Sequence, residues 1–162
     1  MVNFLVSSCF FSSSTVRLTA YVLQSFLQAE SYIQINHSVL SRATAWLINQ
    51  QGADGKFREV GRVINTELQE ALDKDSVALT AYALITLLKN QTYKEMYSDN
   101  VDKAQTYLES KVTVGVVSNY SLALVAYALA LANNPVAGTV LDELMDRADK
   151  IGTLKGQIIR PI

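Results

Sequence analysis

The sequence predicts an all-α fold in which helices that are buried all round alternate with helices that bury one side. Three segments are apolar on nearly every side, and each is built on an Ala-Tyr-x-Leu centre: Leu18–Leu27, Leu79–Leu88 and Leu124–Leu131. The segments between them carry a single apolar stripe at helical spacing. A two-layer array of helical hairpins, either an αα solenoid or an αα ring, satisfies both patterns.

Each inner segment is followed by an amphipathic outer one, which gives about three hairpins. Helices without a polar face must be buried, whereas the stripes in 38–51, 98–111 and 141–148 predict outer helices. In the first two hairpins the aromatic residues are equally spaced: 25 positions separate Tyr21 from Trp46, and 25 separate Tyr82 from Tyr107. The third hairpin, 118–151, is a shortened copy of the same pattern. The predicted core of the repeat is Tyr21, Trp46, Tyr82, Tyr107 and Tyr127.

The expected helix ends follow from capping residues. The run 12–15 offers N-caps for a first helix that ends near Ala29, and Ser118 caps the third inner helix. We expect Gly52 to stop the first outer helix in a left-handed cap. Asn133-Asn-Pro135 should end the third inner helix, since proline cannot continue it, and the last helix should fade at 151–152. One folded domain, 18–152, is therefore predicted between an unassigned N-terminal segment, 1–17, and an unassigned tail, 153–162.

Composition excludes several partners. The chain has 162 residues, a formal net charge of −1 and scattered Lys and Arg, so nothing favours nucleic acid. The longest apolar run, Leu122–Ala132, is too short to insert across a membrane. The single cysteine, Cys9, can form no internal disulfide, and the lone His37 is interpreted as a solvated residue at a helix start. No metal or other cofactor is predicted.

An acidic stretch before the central helix is the one candidate for acid/base chemistry. It holds Glu59, Glu67, Glu70, Asp73 and Asp75. A carboxylate pair or a Ca²⁺ site is one interpretation. The second interpretation is that Asp73 or Asp75 caps the next helix and interacts favourably with its dipole. This interpretation accounts for the acids adequately. The residues alone indicate a helical scaffold with no self-sufficient active site.

Three Asn-x-Ser/Thr triplets provide candidate sites for N-glycosylation. They begin at Asn36, Asn90 and Asn119, each near a predicted helix boundary. Three such triplets in a short chain favour the secretory route.

Six motifs in a fixed order resemble the thioester domain of the α2-macroglobulin and complement family, in particular its membrane-anchored and insect-type members. They cover about residues 18–150. The motifs are Leu18-Thr-Ala-Tyr, Trp46-Leu, Asp54-Gly-Lys-Phe, Gly61-Arg-Val-Ile-Asn-Thr-Glu-Leu-Gln, Val77-Ala-Leu-Thr-Ala-Tyr and Asn119-Tyr-Ser-Leu-Ala-Leu.

The resemblance implies an α/α toroid, of which this chain holds a partial ring of about three hairpins out of six. In that family a Gly-Cys-Gly-Glu-Gln motif forms an internal thioester that acylates nearby amines or hydroxyls. The motif is absent here, because Cys9 lies in Ser-Ser-Cys-Phe-Phe and the third residue after it is Ser12. The chain is thus expected to be a structural or binding piece and not an enzyme.

The resemblance also marks Asn65, with Glu67 nearby. Fast-reacting family members carry at this place a histidine that attacks the thioester and frees a thiolate base. Asparagine can do neither, so a complete parent protein is expected to react directly and to prefer amines such as lysine.

The resemblance further implies a secreted parent, soluble or membrane-anchored, that acts in innate immunity and endopeptidase inhibition. Its expected partners are other domains of the parent, proteases or microbial surfaces, with self-association through the open edge of the ring. Two alternatives stay open: a helical-repeat interaction module, and an α/α-ring enzyme like the terpenoid cyclases and prenyltransferases, which Gln51–Phe57 faintly resembles. Such an enzyme needs an Asp-rich motif or a zinc site, and neither is visible in the sequence.

Overall fold

The computed structural model describes residues 15–60 and 76–158, with the side chains of the last helix given to residue 148. The described part of the chain is helical apart from its turns and one isolated β-bridge, which confirms the all-α prediction. The helices are α1 (Val16–Ala29), α2 (His37–Ile48), α3 (Ser76–Leu88), α4 (Gln91–Met96), α5 (Ser98–Val114), α6 (Asn119–Leu131) and α7 (Ala137–Ile158).

The helices form the two predicted layers. In the inner layer, α3 packs between α1 and α6. Each inner helix also packs against one outer helix, α1 against α2, α3 against α5, and α6 against α7. This pairing is the arrangement of three hairpins in an α/α toroid.

Helix α3 is buried on nearly every side, as its composition requires. Nine of its 13 residues are buried, and two of them are threonines. Both hydroxyls are bonded inside the layer: Thr80 Oγ1 donates to the carbonyl of Ser76 (2.7 Å) and accepts from the N–H of Phe57 (3.0 Å), and Thr86 Oγ1 donates to the carbonyl of Tyr82 (3.0 Å). Buried polar groups are tolerated when they are bonded in this way.

The two flanking inner helices are not buried all round, and here the prediction was wrong. Tyr21 on α1 is 61% exposed and Tyr127 on α6 is 48% exposed, so neither belongs to the repeat core. Within the described residues, α3 packs against two inner helices, whereas α1 and α6 each pack against one. Of the other predicted core residues, Tyr107 is buried, and Trp46 and Tyr82 are half-buried against the core.

Most helix starts carry the expected caps. Thr15 Oγ1 accepts from the N–H of Leu18 at the start of α1, and Ser118 accepts from Ser121 N–H at the start of α6. Asn36 and Asn90 cap α2 and α4 in the same manner. The short α4 was not predicted, because its six largely polar residues carry no apolar period.

Three helix ends differ from expectation in detail. Helix α6 ends in a Schellman motif with Asn133 in the left-handed conformation (φ 57°), so the stop precedes Pro135. Helix α2 ends at Ile48, and Gly52 lacks the positive φ that we expected. Helix α7 continues past 151–152 to Ile158, because a helix tolerates glycines at a cost of about 1 kcal/mol each.

The turn after α2 joins the first hairpin to the second. A β-bridge pairs Gln51 with Phe57, whose side chain is fully buried. Nε2 of Gln51 donates to the carbonyls of Gly55 (3.0 Å) and Asn100 (2.9 Å), and Oε1 of Gln51 accepts from Nδ2 of Asn100 (2.6 Å). Because Asn100 lies on α5, this turn fixes the loop of one hairpin onto the outer helix of the next.

The connection between α5 and α6 is held by Arg147 of α7. Its guanidinium donates to the main-chain carbonyls of Val116 (2.7 Å) and Val117 (3.2 Å) and to Oδ1 of Asn119 (3.1 Å). Glu143, one turn earlier on α7, pairs with the same guanidinium. A planar group with several donors is suited to such convergent acceptors.

Within the described ranges, no helix combines the length and the apolar character needed to cross a bilayer.

The turn after α2 generates the first prediction. Gly55 has φ +82°, and a Cβ atom at this residue would lie 2.1 Å from the carbonyl oxygen of Lys103 on α5. Gly55→Ala should therefore destabilise the chain by about 2 kcal/mol or more, measured by urea unfolding.

Gly138→Ala is the matched control, since a Cβ atom at this residue would meet no other atom within 4 Å and the residue lies in the first turn of α7. It should leave the free energy of unfolding unchanged or raise it by up to about 1 kcal/mol. Equal effects of the two substitutions would contradict the close approach of the turn to α5.

Candidate functional site

The three inner helices bring a group of tyrosines near one arginine. Tyr82 of α3 interacts electrostatically with Tyr120, in the first turn of α6, and with Tyr21 and Arg17, in the first two turns of α1. We call these four residues the tyrosine cluster. All four side chains belong to the three helices of the inner layer.

The cluster keeps its central phenol protonated. Burial raises the pKa of Tyr82, the neighbouring Tyr120 and Tyr21 raise it further, and Arg17 acts in the opposite direction. A phenol with a raised pKa is neutral near pH 7, so Tyr82 can donate a hydrogen bond but does not serve as a base.

Glu59 holds the chain against the start of α1. Its carboxylate accepts a hydrogen bond from the main-chain N–H of Val16, and Oε2 lies 3.8 Å from Nε of Arg17. The side chain of Glu59 is only 12% exposed. A carboxylate at a helix N-terminus satisfies free N–H groups and interacts favourably with the dipole.

Glu59 was the first member of the predicted acidic stretch, and the structure gives it a capping role on α1. The other four acids, Glu67, Glu70, Asp73 and Asp75, lie outside the described residues, and so does Asn65.

The described residues on both sides of 61–75 are anchored at N-terminal helix ends. Glu59 is bound at the start of α1, as given above. Ser76 is the first residue of α3, and its hydroxyl is hydrogen-bonded to the phenol of Tyr107 (3.0 Å). The last anchored residue before 61–75 is therefore bound at the start of α1, and the first after it is bound at the start of α3.

The single histidine lies at the start of α2. The side chain of His37 is 85% exposed and its Nδ1 is 3.4 Å from Oε1 of Glu30, which agrees with the prediction of a solvated residue at a helix start. Within residues 15–60 and 76–148, no three His, Cys, Asp or Glu side chains are grouped as a metal site would require. In the Gln51–Phe57 turn, which had suggested a cyclase, the side chain of Gln51 is bonded to the turn itself and to α5.

The three candidate glycosylation sites all lie at helix starts, with Asn36 and Asn119 exposed and Asn90 half-buried. In Asn36 and Asn90 the side-chain oxygen caps a helix, and in Asn119 it accepts from Arg147. A glycan is joined through the side-chain nitrogen, so these three bonds do not involve the atom that it needs.

Sequence reasoning missed Arg17, Tyr120 and the role of Glu59. Arg17 and Glu59 are 42 positions apart, and no period links them, so their pairing depends on the packing of the fold. Tyr120 could have been noticed, because it lies seven residues before Tyr127 and hence on the same side of a helix.

The tyrosine cluster generates a pH prediction. Because the folded state binds the Tyr82 proton more tightly than the unfolded chain does, the associated stability is present below pH 10, the usual pKa of tyrosine, and is lost as the pH rises through the raised pKa. Tyr82→Phe should reduce the loss of stability above pH 10 and remove a late component from the phenolate absorbance titration.

Tyr32→Phe is the control, since Tyr32 is 88% exposed on the connection between α1 and α2 and lies outside the cluster. If Tyr82→Phe and Tyr32→Phe change the alkaline unfolding curve equally, the proton of Tyr82 is not held by the cluster.

Comparison with known proteins gives the family. The model of the A-macroglobulin TED (thioester) domain matches residues 7–155. Thioester-containing protein 1 of Anopheles gambiae, in its alleles S3 and S1, is 32% identical over 136 residues, which are 83% of this chain and 10% of the relative. Allele R1 is 32% identical over 137 residues, with the same shares. The chain therefore spans about a tenth of the length of the curated relatives it matches. A family match over most of the chain, on a fold with the paired helical layers of that domain, shows that this chain belongs to the A-macroglobulin thioester-domain family.

Proposed function

We propose that this chain is part of the thioester domain of a secreted thioester-containing protein that acts in innate immunity and endopeptidase inhibition. Its contribution is to structure and binding and not to catalysis. The observation that carries the proposal is the family match over residues 7–155 in a sequence without a Gly-Cys-Gly-Glu-Gln motif. The acyl group that reacts is then supplied by other residues of the parent protein.

In this proposal the chain supplies Asn65, at the position where fast-reacting family members carry the activating histidine, and Glu67 two residues later. An asparagine side chain is not nucleophilic and forms no acyl intermediate, whereas an imidazole does. The thioester of the parent is therefore attacked directly by the incoming group. Unprotonated amines are much better nucleophiles than neutral hydroxyls, so the parent prefers the lysines of proteins.

The partners in this proposal are the other domains of the parent and the proteases or microbial surfaces that it meets outside the cell. Exposure of Asn36 and Asn119 at helix starts supports glycosylation there, and Asn90 is the third proposed site. No charged field directs the chain to nucleic acid, since its formal net charge is −1.

The size and location of the native protein test the proposal. An antibody raised against 61–75 should detect, in extracellular fluid, a band far larger than the 17.8 kDa of this chain. Removal of N-glycans should lower the apparent mass of that band. A band near 18 kDa confined to cell extracts, with no shift after glycan removal, would contradict both the parent protein and the secretory route.

Substitution of Asn65 tests the preferred acceptor. The complete parent should incorporate labelled methylamine in preference to labelled glycerol. Asn65→His should raise glycerol incorporation by about 100-fold, the lower range for a positioned base and nucleophile.

Asn65→Gln is the matched control, because it keeps an amide at the same position and should leave the ratio of methylamine to glycerol incorporation unchanged. An unchanged ratio in the histidine variant would show that residue 65 does not act on the thioester.

A further inference from the structure

The candidate glycosylation sequences differ in whether the folded chain exposes the second residue that they need. Transfer of a glycan requires the asparagine and also the hydroxyl residue two positions later. Two of the sequences end in serine, Asn36-His-Ser38 and Asn119-Tyr-Ser121. These two can therefore be compared without a difference in the hydroxyl residue.

In the second of these sequences the hydroxyl residue is buried. Asn119 is exposed, whereas Ser121 is only 1% exposed. Both residues lie in the first turn of α6, and residues two positions apart on a helix are separated by about 200° around its axis. Since α6 packs against α3 and α7, one enzyme surface cannot contact both side chains while α6 is folded.

The first turn of α6 is also held by hydrogen bonds. Arg147 of α7 donates to Oδ1 of Asn119 (3.1 Å) and to the main chain of the connection before the helix. The N–H of Ser121 donates to Oγ of Ser118 (3.5 Å). An enzyme that needs the hydroxyl of Ser121 therefore requires this turn to unwind and to leave Arg147.

The first sequence has the opposite arrangement. Asn36 precedes α2 with an extended main chain (φ −73°, ψ 106°), and both Asn36 and Ser38 are exposed. Oδ1 of Asn36 accepts a hydrogen bond from the N–H of Ser38 (3.0 Å), so the carboxamide is already turned toward the residue that carries the hydroxyl. This bond does not involve Nδ2, the atom to which a glycan is joined.

We infer that glycan transfer to Asn119 takes place only before α6 folds, whereas Asn36 remains an acceptor in the folded chain. The inference rests on the proposed function only for the secretory route, in which the transferase and its donor are present. Because Asn119 itself is exposed, a glycan attached early is compatible with the folded structure. Burial of Ser121 therefore restricts the time of transfer and not the final product.

The reaction is the same at both sites, and its donor is an oligosaccharide joined to a lipid through a diphosphate. Nδ2 of the asparagine forms a bond to the anomeric carbon of the sugar. The bond from that carbon to the diphosphate oxygen breaks, and the lipid diphosphate leaves with the electron pair. The nitrogen loses one proton, which balances the charge of the leaving group. At Asn119 this reaction must precede the packing of α6 against α3 and α7.

Glycan transfer to the purified, unglycosylated full chain tests the inference. The enzyme is a purified single-subunit oligosaccharyltransferase with its lipid-diphosphate oligosaccharide, and mass spectrometry of proteolytic peptides follows the occupancy of each site. In the folded chain, initial transfer to Asn36 should be at least about tenfold faster than transfer to Asn119, because only the second site requires local opening of the chain.

An unfolded form of the same chain provides the reference. Leu84→Asp combined with Leu129→Asp places charges at two side chains that are 0% exposed, and should abolish the helical circular dichroism. Neither residue lies in a glycosylation sequence. In this variant the rates at Asn36 and Asn119 should agree within about threefold, since both sequences are then part of a denatured ensemble.

Ser38→Ala is the matched control in the folded chain. Because Ser38 is exposed, the helical circular dichroism should equal that of the wild type. Transfer to Asn36 should stop, since the hydroxyl that the enzyme needs is gone.

Transfer to Asn119 at a rate equal to or above that at Asn36 in the folded chain would overturn the inference. A folded chain in which neither site accepts a glycan would also overturn it, as would a tenfold preference for Asn36 that persists in the unfolded variant. The reaction uses purified components, so none of these results depends on whether the native protein is secreted or on its acylation chemistry.

Discussion

A helix with no polar side can exist in water only if other helices enclose it, and α3 imposes this requirement on the whole chain. Nine of its 13 residues are buried. Enclosure needs an inner neighbour on each side and an outer helix behind, which are α1, α6 and α5. Burial of its leucines is worth about 1.5–3 kcal/mol for each side chain, which no single surface contact approaches. The positions of the other hairpins follow from this one demand.

The same demand explains which parts of the fold were predictable. The layer to which each long helix belongs could be inferred from its pattern, because apolar composition and period report burial directly. The exposure of Tyr21 and Tyr127 could not be inferred in this way. Their local sequence matches that of Tyr82, so the difference in exposure depends on packing that local composition does not report. The short α4 and the end of α2 were not predicted correctly. The first depends on a local cap and the second on one β-bridge, and neither feature leaves a clear signal in composition.

The candidate site was predictable to a lesser degree, for a related reason. Asn65 and Glu67 were identified through resemblance to a family motif, whereas Glu59 and Arg17 meet only because the fold brings the turn before residue 61 to the start of α1. Contacts between residues so far apart follow from packing and carry no periodic signal. The tyrosine cluster was partly predictable. The helical period places Tyr120 and Tyr127 on the same side of α6, but it does not reveal that Tyr82, on another helix, lies near Tyr120.

The contact between Gly55 and Lys103 has a consequence for the curvature of the array. At this position the turn after α2 lies against the main chain of α5 with no room for a side chain. The spacing between the first two hairpins in the outer layer is therefore set by backbone atoms, which cannot be compressed or repacked as side chains can. In a two-layer ring, the ratio of outer to inner spacing determines how sharply the layers bend. A larger residue at Gly55 would widen the outer spacing of these two hairpins and so bend the two-layer array more sharply.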